Sequence, residues 1–330
     1  MKIKLITCYY GRLPEWIQAW LMSCKYNPEY DFLIVTDDDK SDLGELPSNV
    51  QLLYISLAGL KERFENAINQ EINLERAYKL CDYKPIYGIA FKDILNGYDY
   101  WGHCDLDMLF GKLSDFISEE DLLKNDRIGD VGAFTIYKNK EEMNHLFRHP
   151  GGAFSWKEVS SSHYSYGFDE MSGMNLIMKR NPDLRWKHLR QYFDSSTRLT
   201  RLGRESLNEI LTWEDGHIFY YRIHDNEYIK EEFAYVHFSG KKPHICCNLN
   251  NSNHILLTSR GFYKITEDID FNFIQRKSDF VSEKEDKREK RHATRRKMIQ
   301  FIKSDRKEQK IWLRKVLTIR YGINFNKEML

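Results

Sequence analysis

Two acidic side chains separated by one residue, Asp105 and Asp107, directly follow the run YDYWGH at 98–103, which reads as a short β-strand. A chain that leaves a strand as a turn presents carboxylates at i and i+2 to one point, and two hard oxygens suit Mg²⁺ or Mn²⁺. In open α/β sheets that point lies beyond the carboxyl end of the strand, where ligands bind. A cation held there would clamp a diphosphate against the protein. About 130 positions later comes His237-Phe238-Ser239-Gly240-Lys241-Lys242-Pro243. His237 ends an expected strand and offers a third metal ligand. Gly240 permits a sharp turn with close backbone approach to a ligand, and Lys242 would bring an ammonium to a phosphate. Taken singly, each piece has a plainer reading. The chain holds 49 acidic residues, and Asp37-Asp38-Asp39 repeats the same spacing in what reads as a solvated turn. A lone histidine is ordinarily just hydrogen-bonded.

The elements that must position these groups follow from hydrophobic period. Apolar runs predict strands over 3–9, 31–36, 50–55, 98–103, 131–137 and 233–238. Pro14 opens a helix over 14–26, with Trp16, Ile17, Trp20, Leu21 and Cys24 at helical spacing. Further helices are expected over 57–70 and 75–95, the second interrupted by Pro85 and Gly88. Residues 150–225 mix Gly, Ser and aromatic clusters without a legible period. Strands alternating with helices imply an α/β fold built on a mostly parallel, Rossmann-like sheet flanked by helices. We expect one domain over 1–260 and a basic helical segment over 261–330.

Charge is divided along the chain. Residues 281–330 hold 16 Lys/Arg against 7 Asp/Glu, whereas the first 280 residues hold 34 against 42. A mildly acidic body therefore carries a basic tail, and such a tail suits an acidic surface. Ile299, Ile302, Trp312, Leu313, Val316 and Leu317 recur among its lysines and arginines, so peripheral membrane contact is one reading. A helix packed on its own domain or on another subunit is the other. No nucleic-acid recognition motif accompanies the basic residues, so no nucleic-acid partner is expected. Six cysteines, Cys8, Cys24, Cys81, Cys104, Cys246 and Cys247, form no CxxC pair, and reduced thiols in the cytoplasm are expected. No apolar stretch approaches the roughly 20 residues needed to span a bilayer.

With DLD at 105–107 and His237, Gly240, Lys242 and Pro243 downstream, the chain resembles GT-A-type glycosyltransferases, in particular retaining families that include family 8. Those proteins carry DxD after a strand and a late His-x-x-Gly-x-x-Lys-Pro-Trp motif. This chain departs at two places: one residue is missing between Gly240 and Lys242, and His244 stands where that motif has Trp. The run AYKLCDYKPIYG, continued by GYDYWGHCDLDMLFG, also resembles an uncharacterised bacterial family linked with surface-polysaccharide gene clusters, over about residues 1–250.

The resemblance implies transfer of a sugar from a nucleotide-diphosphate sugar, with a UDP-sugar expected, to a glycan or lipid-linked acceptor, with Mn²⁺ or Mg²⁺ as cofactor. It places Thr7 and Tyr9 or Tyr10 against the nucleotide, with a tyrosine stacked on the base; packing against the sheet is the alternative. Asp37 would contact base or ribose, or belong to a solvated turn. Lys79, Asp82 and Lys84 would reach the donor, although Lys79 and Asp82 at i and i+3 also suit a plain ion pair. Asp169 and Glu170 would act at the acceptor hydroxyl or the donor sugar: a general base in an inverting enzyme, a positioning group in a retaining one, or else a cap for the helix that follows. Two rival functions stand beside this one. A nucleotidyltransferase would need a glycine-rich basic loop after the first strand, where CYYGRLPEW has one Gly and one Arg. A non-catalytic glycan- or nucleotide-binding protein on the same fold is the other.

Overall fold

A computed structural model describes residues 1–194, 209–239, 244–246, 249, 253–258, 261–278 and 283–323. Its strands are β1 (Ile3–Tyr9), β2 (Tyr30–Thr36), β3 (Val50–Tyr54), β4 (Tyr100–Cys104), β5 (Met108–Phe110), β6 (Arg127–Val131), β7 (Phe134–Lys138), β8 (Trp186–Lys187), β9 (Tyr192–Asp194), β10 (Glu209–Glu214), β11 (His217–His224), β12 (Glu227–Phe233), β13 (Tyr235–His237), β14 (His254–Leu257) and β15 (Phe262–Lys264). The main sheet has the order β3-β2-β1-β4-β7-β6-β8, and β7 alone runs against the others. This is a mostly parallel α/β sheet, as expected. A five-stranded antiparallel sheet (β12-β11-β10-β14-β15) and a small sheet (β5-β13-β9) complete the strands.

The two faces of the main sheet follow from the two-residue period of its strands. Ile6, Leu33 and Val35 enter one core cluster, with Phe64, Tyr83 and Tyr87 from the layer above. Leu5, Phe32 and Ile34 enter the other, with Trp20 from the helix Ile17–Lys25 and Phe110 from β5. Trp20 is fully buried, its ring edge-on to Phe32 at 5.4 Å and to Phe110 at 6.0 Å. Its indole N–H donates to the Asp105 carbonyl at 3.2 Å. The helix thus pins the turn after β4.

Three local expectations are corrected. Residues 75–95 do not form one α-helix: Ala77–Ile86 is a 3₁₀ helix, followed by one α turn at Tyr87–Ala90. Pro85 has no N–H to donate. Gly88 is pressed so closely that a Cβ there would stand 2.5 Å from the Asn144 side chain and 2.6 Å from Trp101. The strand expected over 131–137 is two strands, β6 and β7, joined at Gly132, where a Cβ would meet the Asp169 carboxylate at 2.4 Å. Residues 233–238 likewise divide between the end of β12 and β13.

Lys79 and Asp82, expected at a donor, are both buried in the scaffold. The Lys79 ammonium donates to Asp82 at 2.8 Å and to the carbonyls of Val159 and Tyr164. Asp82 also accepts from the backbone N–H groups of Tyr166 and Phe168. All three ammonium protons are spent inside the fold. The pair therefore staples residues 159–168 to the 3₁₀ helix rather than facing a ligand.

The basic tail forms two helices, Glu283–Lys303 and Arg306–Tyr321. The second is capped by Asp305 and seats Ile311 in the core cluster that holds Phe154, Tyr166 and Phe168. Among the described residues, no helix is long and apolar enough to cross a membrane.

Replacing Lys79 by Met leaves Asp82 a buried, unpaired carboxylate. Chemical denaturation is expected to show a loss of about 3–5 kcal/mol. A loss below about 1 kcal/mol, the range of an exposed pair, would show that the staple does not hold the loop.

Candidate functional site

Three elements converge beyond the carboxyl end of β4. The chain leaves β4 at Cys104, and the Asp105 N–H donates to the Ala133 carbonyl at 3.0 Å, tying the turn to the start of β7. After Asp107 the chain enters β5, which pairs antiparallel with β13 so that Met108 lies opposite His237. The Phe238 N–H donates to the Asp107 carbonyl at 2.8 Å. Two ladder partners far apart in sequence thus bring an imidazole to a pair of carboxylates.

The ligand atoms of Asp105, Asp107 and His237 all lie within 4.8 Å of one another. His237 Nε2 stands 3.5 Å from Asp107 Oδ1 and 4.0 Å from Asp105 Oδ2. Two carboxylate oxygens and one imidazole nitrogen fit a divalent cation of the Mn²⁺ type better than Mg²⁺, which prefers oxygen alone. The other imidazole nitrogen, Nδ1, lies 3.0 Å from Asp194 Oδ2, and the second Asp194 oxygen accepts from Ser239. A carboxylate behind a histidine fixes its ring and tautomer for metal binding. Burial disfavours the charged imidazolium, yet hydrogen bonds to Asp107 and Asp194 outweigh it and raise the His237 pKa to about 9.

Lys84 joins this group to the residues expected to handle the reacting sugar. Its buried ammonium donates to Asp105 Oδ1 at 2.7 Å and to the Gly132 carbonyl at 2.7 Å, and lies 3.5 Å from Asp169 Oδ2. Burial opposes its charge, but Asp105 and Asp169 hold its pKa well above the usual lysine value. With Oδ1 of Asp105 taken by Lys84, Oδ2 is the oxygen turned toward His237. Asp169 is itself buried, and its pKa is pushed up to about 7, first by burial, then by the charge of Glu170, against the pull of Lys84. Glu170 accepts from the Gly132 N–H at 3.2 Å. Gly132 therefore uses both backbone groups here and leaves the space that Asp169 fills.

The residues expected at the nucleotide lie along the same carboxyl edge. Tyr9 ends β1, and its phenol pKa is raised by burial and then by the charge of Asp107. Thr7 is buried within β1. Tyr10 packs on the core, and its hydroxyl is buried with no hydrogen-bond partner among the described residues. Asp37 is exposed after β2 and accepts from the Gly11 N–H at 2.8 Å, closing the turn in which Gly11 has φ +88°. Gly240 and Lys242 lie outside the described residues. The structure thus gathers Asp105, Asp107, His237, Lys84, Asp169 and Glu170, sets Tyr9 at the end of β1, and withdraws Lys79 and Asp82 into the scaffold.

Asp194 and Gly132 join the site without having been expected there. Asp194 sits in the stretch without a legible period and reaches His237 only through the parallel pairing of β9 with β13, which sets the two opposite each other. Gly132 does carry a signal, since an isolated glycine inside a strand-like run marks a bulge or a close approach.

A family model described as a family of unknown function (DUF6625) matches residues 5–266. No curated protein matches the chain. Two solved structures are similar at 12% identity and a TM-score of 0.37. One is a galactosyltransferase, LgtC, in complex with donor and acceptor sugar analogues, aligned over 75% of this chain and 91% of that one. The other is the apo form of the glycosyltransferase GlyE of Streptococcus pneumoniae TIGR4, aligned over 60% of this chain and 49% of that one. At that identity and TM-score neither likeness decides this chain's chemistry.

Carbon-13 NMR of the metal-free protein is expected to show one aspartate carboxyl titrating near pH 7, absent in Asp169→Asn. If every aspartate titrated below about pH 5, the ordinary carboxylate range, Asp169 would not be in the environment described.

Proposed function

We propose that this chain, which belongs to DUF6625, is a metal-dependent glycosyltransferase that moves a sugar from a nucleotide-diphosphate sugar, a UDP-sugar in our reading, to a glycan or lipid-linked acceptor in bacterial surface-polysaccharide synthesis. The observation that carries the reading is the meeting of Asp105, Asp107 and His237 at the carboxyl edge of the sheet, with Lys84 linking Asp105 to Asp169. The donor class follows from the motif resemblance; the cation follows from the side chains.

Without a cation the cluster sets the carboxylates of Asp105, Asp107 and Asp194 against one ammonium and one imidazolium. That excess of negative charge invites a divalent cation. When bound, the cation would offset the charge that grows on the leaving diphosphate. Asp105 Oδ2, Asp107 Oδ1 and His237 Nε2 would hold it, with Asp194 keeping the imidazole in place. In the transfer, the bond between the anomeric carbon and the diphosphate oxygen breaks, and a bond from that carbon to the acceptor oxygen forms. The acceptor hydroxyl gives up its proton. Asp169, with a pKa near neutrality, is suited to exchange that proton. Lys84 keeps Asp169 and Asp105 at fixed separation, so proton handling and phosphate binding share one frame. Tyr9, at the end of β1, would border the nucleotide.

The C-terminal helices fit the same setting. Met298, Ile302, Trp312 and Tyr321 are exposed among lysines and arginines, a surface suited to the anionic cytoplasmic face of a membrane where a lipid-linked acceptor would lie.

Asp107→Asn is expected to lower Mn²⁺-dependent turnover of UDP-sugars at least about 100-fold, the scale of losing one preorganised charge contact in a transition state. Equal turnover in variant and parent would remove Asp107 from the mechanism. The His237 proton must also leave Nε2 before a cation takes that lone pair, and below pH about 9 the ring is protonated. Calorimetry should therefore find Mn²⁺ affinity rising about tenfold per pH unit from about pH 6 to about pH 8, with release of one proton per ion. An affinity flat over that range would exclude His237 as a ligand.

A further inference from the structure

The β5–β13 pairing that delivers His237 to Asp107 has a second end. Past Phe110 the chain enters Gly111, where a Cβ would stand 2.5 Å from the Phe233 carbonyl oxygen and 3.4 Å from the Ile218 nitrogen. The Gly111 N–H donates to the Ala234 carbonyl at 2.8 Å. This close approach carries the 3₁₀ segment Leu113–Asp115 to the start of β11, where Asp115 Oδ2 lies 3.7 Å from His217 Nδ1. Leu113 is buried and its N–H donates to the Asn27 side chain at 2.8 Å, which anchors the segment. On the neighbouring strand, Glu232 lies opposite Phe219, and His217 shares that face at the two-residue period. Glu232 Oε1 stands 2.6 Å from the same nitrogen, His217 Nδ1. The His217 ring lies parallel to Phe219 within 10°, at 5.8 Å between centroids.

Two carboxylates thus aim at one imidazole nitrogen. That nitrogen carries at most one proton, which Glu232 takes, and at 3.7 Å Asp115 is beyond hydrogen-bond reach. Among the described residues, neither acid pairs with a lysine or arginine. The group keeps a net negative charge even with the imidazole protonated. By contrast, His145, His188, His224 and His254 each stand beside a single acid. Among the described residues, His217 and His237 are the histidines that face more than one. The ligand atoms of Asp115, His217 and Glu232 lie within 4.8 Å of one another, as do those of the Asp105 group. Two donors about 2.1 Å from a tetrahedral cation stand about 3.4 Å apart. The separations of 2.6 and 3.7 Å bracket that distance.

We propose that Asp115, His217 and Glu232 form a second cation site, for Zn²⁺, with water in the fourth position. One imidazole nitrogen and two carboxylate oxygens suit tetrahedral zinc, whereas Mg²⁺ and Ca²⁺ take oxygen ligands. The ion takes the place of the proton at His217 Nδ1 and clasps three elements: the segment after β5, the start of β11 and the end of β12. Asp115 follows Asp107 by eight residues and Glu232 precedes His237 by five, so the two cation sites stand at opposite ends of the β5–β13 pairing. The clasp therefore holds the register in which His237 meets Asp105 and Asp107. It stands or falls independently of the transferase reading.

The test is calorimetric titration of Zn²⁺ into full-length His237→Ala protein, whose first cluster lacks its imidazole. One ion should bind through the clasp, and the midpoint of thermal unfolding should rise with it, since binding to the folded state alone stabilises that state. Adding His217→Ala should abolish the rise and weaken binding by at least about 100-fold, the upper end of what loss of a mere supporting group costs a metal site. Glu232→Gln or Asp115→Asn on the His237→Ala background should each weaken it at least about tenfold, the lower end of that range. Circular dichroism and unfolding in EDTA, matched to those of His237→Ala, confirm that the His217 variant folds; if they differ, the two carboxylate variants decide. The proposal is overturned if His237→Ala protein binds no zinc, if zinc binds equally well without His217, or if both carboxylate variants bind it like His237→Ala.

Discussion

A single buried ammonium ties the site together. Lys84 is charged in a place where burial opposes charge, and it stays charged because Asp105 and Asp169 stand on either side of it with the Gly132 carbonyl as a third partner. Removing one member of such a group leaves the others buried and uncompensated, which costs about 3–5 kcal/mol. The arrangement has one clear consequence. Asp105, which faces His237, and Asp169, whose pKa is raised to about 7, cannot move independently.

The scaffold around Lys84 is organised so that this linkage holds. The indole of Trp20 grips the Asp105 carbonyl from one sheet face, and the pairing of β5 with β13 delivers His237 from the other direction. β9 adds Asp194 behind the imidazole. On the far side, the Lys79–Asp82 pair fastens residues 159–168 by their backbone groups. The C-terminal helix then docks on that same stretch through Tyr164 and Glu158. A buried pair whose hydrogen bonds are made inside the fold thus helps set where Asp169, Glu170 and Lys315 come to rest.

Much of this is legible in the residues alone. Buried strands such as ITCY and FLIV announce themselves because both faces of a parallel sheet are covered, and the run of apolar side chains is then continuous. The acid pair after YDYWGH is legible because a strand end followed by DLD can turn two carboxylates to one point. The 75–95 segment misleads because its apolar spacing suits an α-helix, while Pro85 and the tight seat of Gly88 against Trp101 impose a 3₁₀ path. Lys79 and Asp82 mislead for a related reason: i and i+3 spacing predicts that two side chains meet, and says nothing of whether water or protein surrounds them.

Residue order on its own specifies the first four strands of the main sheet, the charge division between body and tail, and the side-chain types for a cation. Those properties reside in local period and local chemistry, which neighbouring residues suffice to express. Only the folded chain puts Asp194 behind His237, makes room for Asp169 at Gly132, bridges two acids with Lys84 and brings a lysine from the tail toward them. Each of these depends on pairings across tens to hundreds of positions. Strand register and burial set such pairings, and neither is written in any one stretch of the chain.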